Sequence, residues 1–443
     1  MKVTLIKPNI GRKGHSLYVD EGRMEPLQLG VLAGMTPPGI EVVLHDDRME
    51  PIPFDEPTDL AAITVETYTA RRAYEISAAY RKRGVPVVLG GMHPTLVPEE
   101  AAQHADALYL GDAEFQWRDV LADAARGQLQ PRYQAPAGTP QPGCQPRREI
   151  FRGKGYLPIT LMQFGRGCRF GCDFCAISVY FDKQQYYRHV DEVLAEIDAQ
   201  ERSHIFFVDD NLISNIEAAK IFFKELAPMK VRWVSQASID MTRDLELMRL
   251  MAESGCIGNV IGFESLSESS LKRMKKAPNI VDGFQDYLPQ VRVLKDFGLQ
   301  TWAAFTLGHD HDTVESIART VDFAMKNKFT FAAYNILMPY PNTPLYKRLA
   351  AEKRLLFEGA WWLHPHYQFN HAAFVPARMT PGELTAASFR ARAHYNSLAS
   401  LVYRAFDRRT NMRSLFNLAV YLAYTPLFRK ETFKKQDMYF GYH

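Results

Sequence analysis

Gly167-Cys168-Arg169-Phe170-Gly171-Cys172-Asp173-Phe174-Cys175 is the stretch that decides the fold of this chain. It holds three of the five cysteines, separated by three residues and then by two. An odd number of cysteines clustered in this way argues against a disulfide framework and for a metal site in a reducing compartment. Thiolates are the usual ligands of iron–sulfur clusters, and three of them leave one iron of a 4Fe–4S cluster open to a cofactor or substrate. A structural zinc site is the alternative, but it requires a fourth ligand, and His189 is the nearest histidine in the sequence.

Strand-like and helix-like segments alternate around the cysteines, from residue 156 to residue 350. Short apolar runs predict six strands, at residues 160–164, 205–208, 231–236, 259–263, 301–307 and 333–337. Six β/α units are too few for a closed barrel of eight. We therefore expect residues 156–350 to form an open, partial (β/α)6 barrel of the TIM type.

The first 133 residues show the same alternation. Apolar runs at residues 3–6, 41–45, 60–65, 85–89 and 107–110 are separated by helical stretches, which predicts an α/β domain with a doubly wound parallel sheet. Ligands of such sheets sit at the carboxyl ends of the strands. Here those ends carry Gly90, Gly91, His93 and Gly111, and glycine lets the backbone approach a bulky ligand.

The remaining segments and the overall charge narrow the class of protein. Residues 134–155 begin with a run of prolines and glycines that predicts a linker, and residues 351–443 predict a mainly helical C-terminal region. A net charge of +3 over 443 residues gives no field that would select nucleic acid. The first residues lack the apolar core of a signal peptide, and no segment reaches the roughly 18 apolar residues of a transmembrane helix. We expect a cytoplasmic protein.

The cysteine spacing, with an aromatic residue before the last cysteine, resembles the signature of the radical S-adenosylmethionine (SAM) superfamily, and residues 156–350 resemble its partial barrel. The resemblance implies that Cys168, Cys172 and Cys175 hold a 4Fe–4S cluster whose open iron chelates SAM. It implies that the reduced cluster breaks a carbon–sulfur bond of SAM. It also implies an electron donor of flavodoxin or ferredoxin type and a small-molecule substrate that the sequence does not identify.

Four further residues match positions around SAM in this superfamily. The resemblance places Phe174 near the adenine, Glu264 near the ribose, and Gln236 and Gly308 at the same mouth of the barrel, where Gly308 would let the adenosine approach closely. Phe174 is alternatively a core residue, and Glu264 is alternatively an acid at the start of the next helix. Asp209-Asp210-Asn211 resembles a stretch found in the cobalamin-binding branch, although these residue types also favour turns.

Residues 1–133 resemble the flavodoxin-type, cobalamin-binding domain that precedes the barrel in one subclass. Gly90, Gly91 and Gly111 match that subclass, but the loop from Pro8 to His15 lacks the Asp-x-His-x-x-Gly motif that supplies a lower cobalt ligand. The domain therefore either binds cobalamin or keeps the fold without the ligand. His93 is either a cobalamin contact or a loop histidine with local hydrogen bonds.

This architecture favours radical alkylation of a small-molecule precursor, with cobalamin-assisted methylation as the leading expectation. The alternative is a different cleavage of SAM, which transfers its 3-amino-3-carboxypropyl group to a soft acceptor such as trivalent arsenic, as in the biosynthesis of arsinothricin.

Two C-terminal segments allow two interpretations each. Residues 361–371 are rich in aromatic residues and histidine, which fits a metal site or a loop that covers the barrel mouth, facing the glycine loops of the sheet across the substrate. Residues 415–428 are apolar, contain Pro426, and are too short to span a bilayer. They predict either an interfacial helix in peripheral contact with a membrane or a helix packed on the barrel.

Overall fold

The computed structural model describes residues 1–13, 16–17, 23–135, 138, 140–200, 202–280 and 286–442. Contacts divide the chain into two compact units. The first comprises Met1–Leu157, Phe357–Phe369 and Lys434–His443, and the second comprises Pro158–Leu356 and Asn370–Phe433. Within the described residues, no helix combines the length and the apolar character needed to cross a bilayer.

The first unit is built on a parallel sheet. Its elements are, in chain order, β1 (Lys2–Lys7), β2 (Gly11–Lys13), β3 (Ser16–Leu17), α1 (Leu27–Met35), β4 (Glu41–Asp46), β5 (Leu60–Thr64), α2 (Ala70–Lys82), β6 (Val87–Gly90), α3 (Met92–Leu96), α4 (Pro98–Ala101), β7 (Ala107–Leu110), α5 (Trp117–Ala125) and β8 (Arg132–Gln134). The main sheet has the order β4-β1-β5-β6-β7-β8, with every pair parallel. This is the flavodoxin order extended by one strand, which confirms the fold expected for this part of the chain.

The end of this unit differs from the expectation in two respects. The sequence does not predict β8, because this strand has one buried residue and enters the sheet through its pairing with β7. The predicted linker packs on the unit, since Phe151 belongs to its core and the Arg147 amide donates to the Gly30 carbonyl. Pro136, Ala137 and Thr139 of that linker lie outside the described residues.

The second unit is the open barrel with its helices. Its elements are, in chain order, β9 (Thr160–Met162), β10 (Gly165–Gly167), α6 (Ala176–Tyr180), β11 (Gln185–Tyr187), α7 (Val190–Asp198), β12 (His204–Phe207), α8 (Ile216–Leu226), β13 (Arg232–Ala237), α9 (Leu245–Glu253), β14 (Cys256–Glu264), α10 (Glu268–Arg273), α11 (Ala277–Ile280), α12 (Leu288–Asp296), β15 (Gln300–Leu307), α13 (Val314–Lys326), β16 (Phe331–Ile336), α14 (Pro344–Ala351), α15 (Pro381–Tyr395), α16 (Leu398–Ala405) and α17 (Leu415–Lys435). The last strand of the chain, β17 (Tyr439–Phe440), belongs to the first unit, where it pairs with β2.

The barrel strands follow one another in the order β9-β12-β13-β14-β15-β16, all in parallel. Each of the six predicted runs coincides with one of these strands, which confirms the partial barrel. Buried aromatic side chains join the sheet to the outer helices: Phe222 of α8 stacks on Phe164 with ring centroids 4.3 Å apart, and Phe223 stacks on Trp233 at 5.0 Å. Stacking of this kind adds to the hydrophobic burial that holds α8 on the strands.

Candidate active site

The cysteine loop leaves the barrel at the carboxyl end of β9 and is held open by a small antiparallel pair. β10 pairs with β11, so that Gly167 lies opposite Gln185. Gly167 has a φ of +82°, and a Cβ at this position would lie 2.2 Å from the carbonyl oxygen of Gln184. Only glycine fits there. The sequence did not predict this pair, which fixes where the loop begins.

Two consecutive aspartates after β12 bind the backbone at the start of the loop. The Asp209 carboxylate accepts hydrogen bonds from the amides of Phe164, at 3.1 Å, and of Gly165. Asp210 accepts from the Gly167 amide at 2.8 Å. Asp209 is 1% exposed, and burial raises its pKa to about 7 although the two amides lower it. These carboxylates therefore hold the start of the cysteine loop against the neighbouring strand. Their residue types alone predict only a turn after β12.

The residues that follow continue this contact along the loop. The Asn211 amide donates to Cys168 Sγ at 3.8 Å and to Ser238 Oγ at 3.0 Å. Ser214 Oγ accepts from the amide of Arg169 at 3.3 Å. We call Asp209, Asp210, Asn211 and Ser214 the loop clamp, because each binds the next part of the cysteine loop in turn.

The three thiols of the loop lie near one another and near a buried lysine. Burial raises the pKa of Cys172 to about 12, although the charge of Lys276 lowers it, and the charges of Cys175 and Cys168 raise it further. Burial also raises the pKa of Cys175, against hydrogen bonds from Ser178. Metal binding would deprotonate such thiols. Within the described ranges, no three His, Cys, Asp or Glu side chains already stand at metal-ligand spacing.

A buried ion pair lies beside these thiols. Glu264 ends β14 at a bulge where the register with β15 shifts, and its φ is +61°. Its carboxylate accepts from Lys276 Nζ at 2.8 Å, and Lys276 lies 5.9 Å from the ring centroid of Phe174. A Cβ on Gly262 would lie 2.4 Å from the Glu264 carboxylate, so this glycine makes room for the pair. Burial acts to lower the pKa of Lys276, but the charges of Glu264 and Cys172 raise it by more. The net shift is upward, so that the Lys276 side chain is an ammonium group.

The pair shows what Glu264 binds within the barrel, and its contact with the ribose stays a prediction. The helix that follows, α10, is capped by Ser267, which accepts from the Ser270 amide, and Glu264 is bound to Lys276 instead. Phe174 is half-buried, packs on the barrel core and faces Lys276. Sequence reasoning missed Lys276, because a lysine that follows another lysine is usually solvated.

Gln236 and Gly308 lie at the carboxyl ends of β13 and β15 and make contacts within the barrel. The side chain of Gln236 donates to the Asp209 carbonyl at 3.2 Å and thus supports the strand that carries the clamp. Gly308 has a φ of +101°, and a Cβ there would meet Leu384 at 2.5 Å and Phe374 at 3.2 Å. The packing of these side chains already requires glycine at this position, and the approach of the adenosine stays a prediction.

Residues 162–324 match the family model of the Radical SAM superfamily. The chain is 31% identical over 369 residues to the bacteriochlorophyllide d C-12(1)-methyltransferase of Chlorobaculum tepidum, in an alignment that covers 80% of each protein. The bacteriochlorophyllide d C-8(2)-methyltransferase of the same organism is 30% identical, over 74% of this chain and 77% of the relative. The chain belongs to the radical SAM superfamily.

Solved structures extend the likeness of this radical SAM enzyme to its N-terminal sheet. OxsB, a cobalamin-dependent SAM radical enzyme solved with aqua-cobalamin and SAM bound, gives a TM-score of 0.66 at 14% identity, over 98% of this chain and 72% of OxsB. TsrM from Kitasatospora setae, a radical SAM methyltransferase solved with cobalamin and a 4Fe–4S cluster, gives 0.61 at 17% identity, over 79% of this chain and 75% of TsrM. At these identities the likeness concerns the fold. A radical SAM domain uses a 4Fe–4S cluster and SAM, which are the cofactors expected from the cysteine motif.

The carboxyl edge of the N-terminal sheet carries the predicted glycines, for reasons within the sheet itself. Gly91 has a φ of +104°, and a Cβ there would lie 3.0 Å from the Val65 carbonyl oxygen. Gly111 has a φ of +83°, and its Cβ would lie 3.1 Å from the Ala135 carbonyl oxygen. Gly90 would tolerate a Cβ at ordinary contact distance. The first two glycines are therefore required by neighbouring backbone, before any ligand is considered.

His93 is the loop histidine with local hydrogen bonds. It is fully buried, and its ring nitrogens contact Thr67 Oγ1 at 3.4 Å and Glu100 Oε1 at 3.0 Å. A contact between His93 and a cofactor stays a prediction. His15, in the loop after β1, lies outside the described residues.

The aromatic segment at residues 361–369 packs within the first unit. Trp362 Nε1 donates to both oxygens of Glu100, at 3.1 and 3.0 Å, and Trp361 contacts the ring of Tyr68 at 5.2 Å. Both tryptophans are buried. The prediction that this segment faces the sheet with substrate in between is therefore wrong for Trp361 and Trp362, which touch the sheet's own helices and turns.

Proposed function

We propose that this chain is a radical SAM methyltransferase that acts with cobalamin on a small-molecule substrate. The observation that carries the proposal is the identity of 31% and 30%, over 80% and 74% of the chain, to two relatives that are both named methyltransferases. These relatives favour methylation over transfer of the 3-amino-3-carboxypropyl group, which was the alternative from the sequence.

Cys168, Cys172 and Cys175 are the proposed ligands of the cluster. Their chemistry fits, because three thiols near one another beside an ammonium group suit an electron-rich cluster and leave one iron without a protein ligand. When bound, the cluster supplies the electron that breaks a carbon–sulfur bond of SAM. The loop clamp fixes the backbone from which these thiols project, and its Asn211 amide donates to the first of them.

Lys276 and Glu264 are the proposed contacts of SAM. The ammonium of Lys276 has three N–H donors, and Glu264 occupies one of them. We assign to Lys276 the binding of the SAM carboxylate, to Glu264 the ribose hydroxyls, and to Phe174 the adenine side of the pocket. Phe174 lies on the cysteine loop, Glu264 ends β14, and Lys276 lies in the turn between α10 and α11.

The first unit is the proposed cobalamin domain. Its flavodoxin strand order and the glycine turns after β6 and β7 fit a ligand at the carboxyl edge. His93 offers no lower ligand to cobalt, because it is buried against Glu100. We therefore propose a cofactor held through the loops of this edge without ligation by His93. When bound, cobalamin would carry the methyl group. A small protein of flavodoxin or ferredoxin type is the proposed electron donor.

Product analysis tests the proposal. Protein reconstituted without oxygen should hold about four iron atoms. Incubated with SAM, hydroxocobalamin and a chemical reductant, it should form S-adenosylhomocysteine from methyl transfer and 5′-deoxyadenosine from reductive cleavage. The C168A/C172A/C175A variant should lose the iron and both products, whereas C144A, outside the loop, should keep them. Methylthioadenosine as the main product would instead support transfer of the 3-amino-3-carboxypropyl group, and iron retained by the triple variant would refute the ligand assignment.

A further inference from the structure

The last long helix of the chain is only partly buried. α17 spans 21 residues, of which only Tyr421 and Thr425 are buried among those that the structure describes. Its inner side crosses the amino ends of the barrel strands: Phe428 contacts Trp302 of β15 at 5.5 Å and Phe331 of β16 at 5.0 Å. The helix is therefore packed on the barrel, as one of the two sequence interpretations expected, but on one side alone.

The outer side of this helix is apolar. The exposed positions 415, 419, 422, 423, 426 and 430 recur at helical spacing and, apart from Lys430, carry Leu, Ala and Pro. Leu415 is 88% exposed and Leu422 is 58% exposed. A helix that covers the end of a barrel normally presents polar residues to water, so this stripe lacks the pattern of a solvated face.

The neighbouring helix continues the same face. α16 packs beside α17, because the Tyr421 hydroxyl donates to the Leu401 carbonyl at 2.7 Å. Its exposed side chains include Leu398 at 72%, Val402 at 59% and Phe406 at 61%. Seven of the twelve exposed large apolar side chains in the described part of the chain fall between residues 398 and 422. We call Leu398, Val402, Phe406, Leu415 and Leu422 the basal face. Such a concentration marks an interaction surface rather than scattered surface residues.

Positive charge accompanies the basal face. Residues 398–433 contain six Lys or Arg and two Asp or Glu, a net charge of +4, and of the six basic residues only Arg404 is fully buried. Since the whole chain carries +3, the other residues together carry −1. Arg408 and Lys430 are exposed beside the apolar side chains. Two copies of this chain pressed together through the face would bring like charges into contact, which disfavours a second copy as its occupant.

We propose that the basal face binds the surface of an anionic membrane. Exposed apolar side chains on two adjacent helices, interspersed with Lys and Arg, have the composition of helices that lie in the headgroup region. The face lies at the amino ends of the barrel strands, whereas the cysteine loop lies at their carboxyl ends. The bound enzyme would therefore keep its cysteine loop on the side of the barrel away from the lipid.

Sedimentation with vesicles tests this proposal without any turnover, so its outcome is independent of the proposed methyl transfer. Wild-type protein should bind vesicles of phosphatidylcholine with 30% phosphatidylglycerol and should bind pure phosphatidylcholine at least tenfold more weakly. L415D/L422D should reduce binding at least 100-fold, because each leucine loses its apolar burial. R408Q/K430Q should reduce binding to the anionic vesicles about 30-fold.

Matched controls lie on the outer helices of the same unit. Ile221 and Leu245 are 59% and 60% exposed, so I221D/L245D alters equally exposed apolar residues away from the face and should bind like wild type. Absence of binding to anionic vesicles, or equal binding to both lipids, would overturn the proposal. Self-association that L415D/L422D abolishes, in the absence of vesicle binding, would assign the face to a second copy and overturn it as well.

Discussion

Replacement of Asp209 by alanine should loosen the cysteine loop at its first residues. The Asp209 carboxylate is 1% exposed and accepts from the amides of Phe164 and Gly165. Both amides lie where the chain passes from β9 into β10, and both hydrogen bonds are buried from water. D209A therefore leaves two buried N–H groups without an acceptor, at the point where the loop leaves the barrel.

The size of the effect follows from these two bonds. A buried donor left unsatisfied costs about 1–3 kcal/mol, so two of them cost about 2–6 kcal/mol. Alanine also removes a carboxylate whose own burial is unfavourable, since burial raises the pKa of Asp209 to about 7. The lower part of the range, about 2–4 kcal/mol, is therefore expected, which corresponds to roughly 30- to 900-fold faster local opening.

Hydrogen exchange measured by mass spectrometry gives this quantity directly. Peptides that cover residues 160–168 should exchange faster in D209A by that factor, while peptides from β14 and β15 should be unchanged. D209N keeps one acceptor oxygen and should give an intermediate rate. D191A alters an exposed aspartate at the start of α7 and serves as the control. Exchange in D209A within threefold of wild type would refute the view that the loop clamp holds the loop.

Three further predictions concern charges and contacts in the two units. K276Q should weaken SAM binding at least tenfold in equilibrium dialysis, yet the variant should keep its iron. K275Q alters an exposed neighbouring lysine and should bind SAM like wild type. Equal SAM affinity in both variants would remove Lys276 from the SAM site. W362F deletes the indole N–H that donates to Glu100. Limited proteolysis should therefore cleave residues 357–369 in the variant, whereas this segment should be protected in wild type. Because the pKa of Asp209 is raised in the folded state, the wild type should lose stability relative to D209N as the pH rises from about 4 to about 7, and thermal unfolding at several pH values that shows a constant difference would contradict this.

The strands and the cysteine loop could be predicted from the sequence, because their signals are local. Buried parallel strands are short apolar runs, and the three cysteines lie within eight residues. β10 and β11 could not be predicted in the same way. Their residues are Gly-Arg-Gly and Gln-Tyr-Tyr, and they form strands only because the loop between them brings them together.

The loop clamp and the buried ion pair were partly visible in the sequence. Asp209-Asp210-Asn211 stood out as polar residues after a strand, but the backbone amides and the Cys168 sulfur that they bind are more than forty residues away. Lys276 gave no signal, because its burial follows from the bulge that turns Glu264 toward it. Such contacts between distant residues are fixed by packing, which single-residue patterns do not contain.

The C-terminal region illustrates how far the order of the chain can differ from the order of its compact units. The sequence grouped residues 351–443 as one region after the barrel, yet Phe357–Phe369 and Lys434–His443 pack with the N-terminal sheet. Trp362 binds Glu100 there, β17 pairs with β2, and the Tyr442 amide donates to the Glu75 carboxylate at 2.9 Å. The sheet therefore depends for part of its burial on residues that are synthesised last. A chain truncated at residue 355 would lose these contacts together with α15, α16 and α17, so that its first unit would expose the buried His93, whose ring packs on Trp362. Loss of the last residues is thus expected to destabilise the N-terminal sheet itself, and a truncation cannot isolate the contribution of the C-terminal region to the active site.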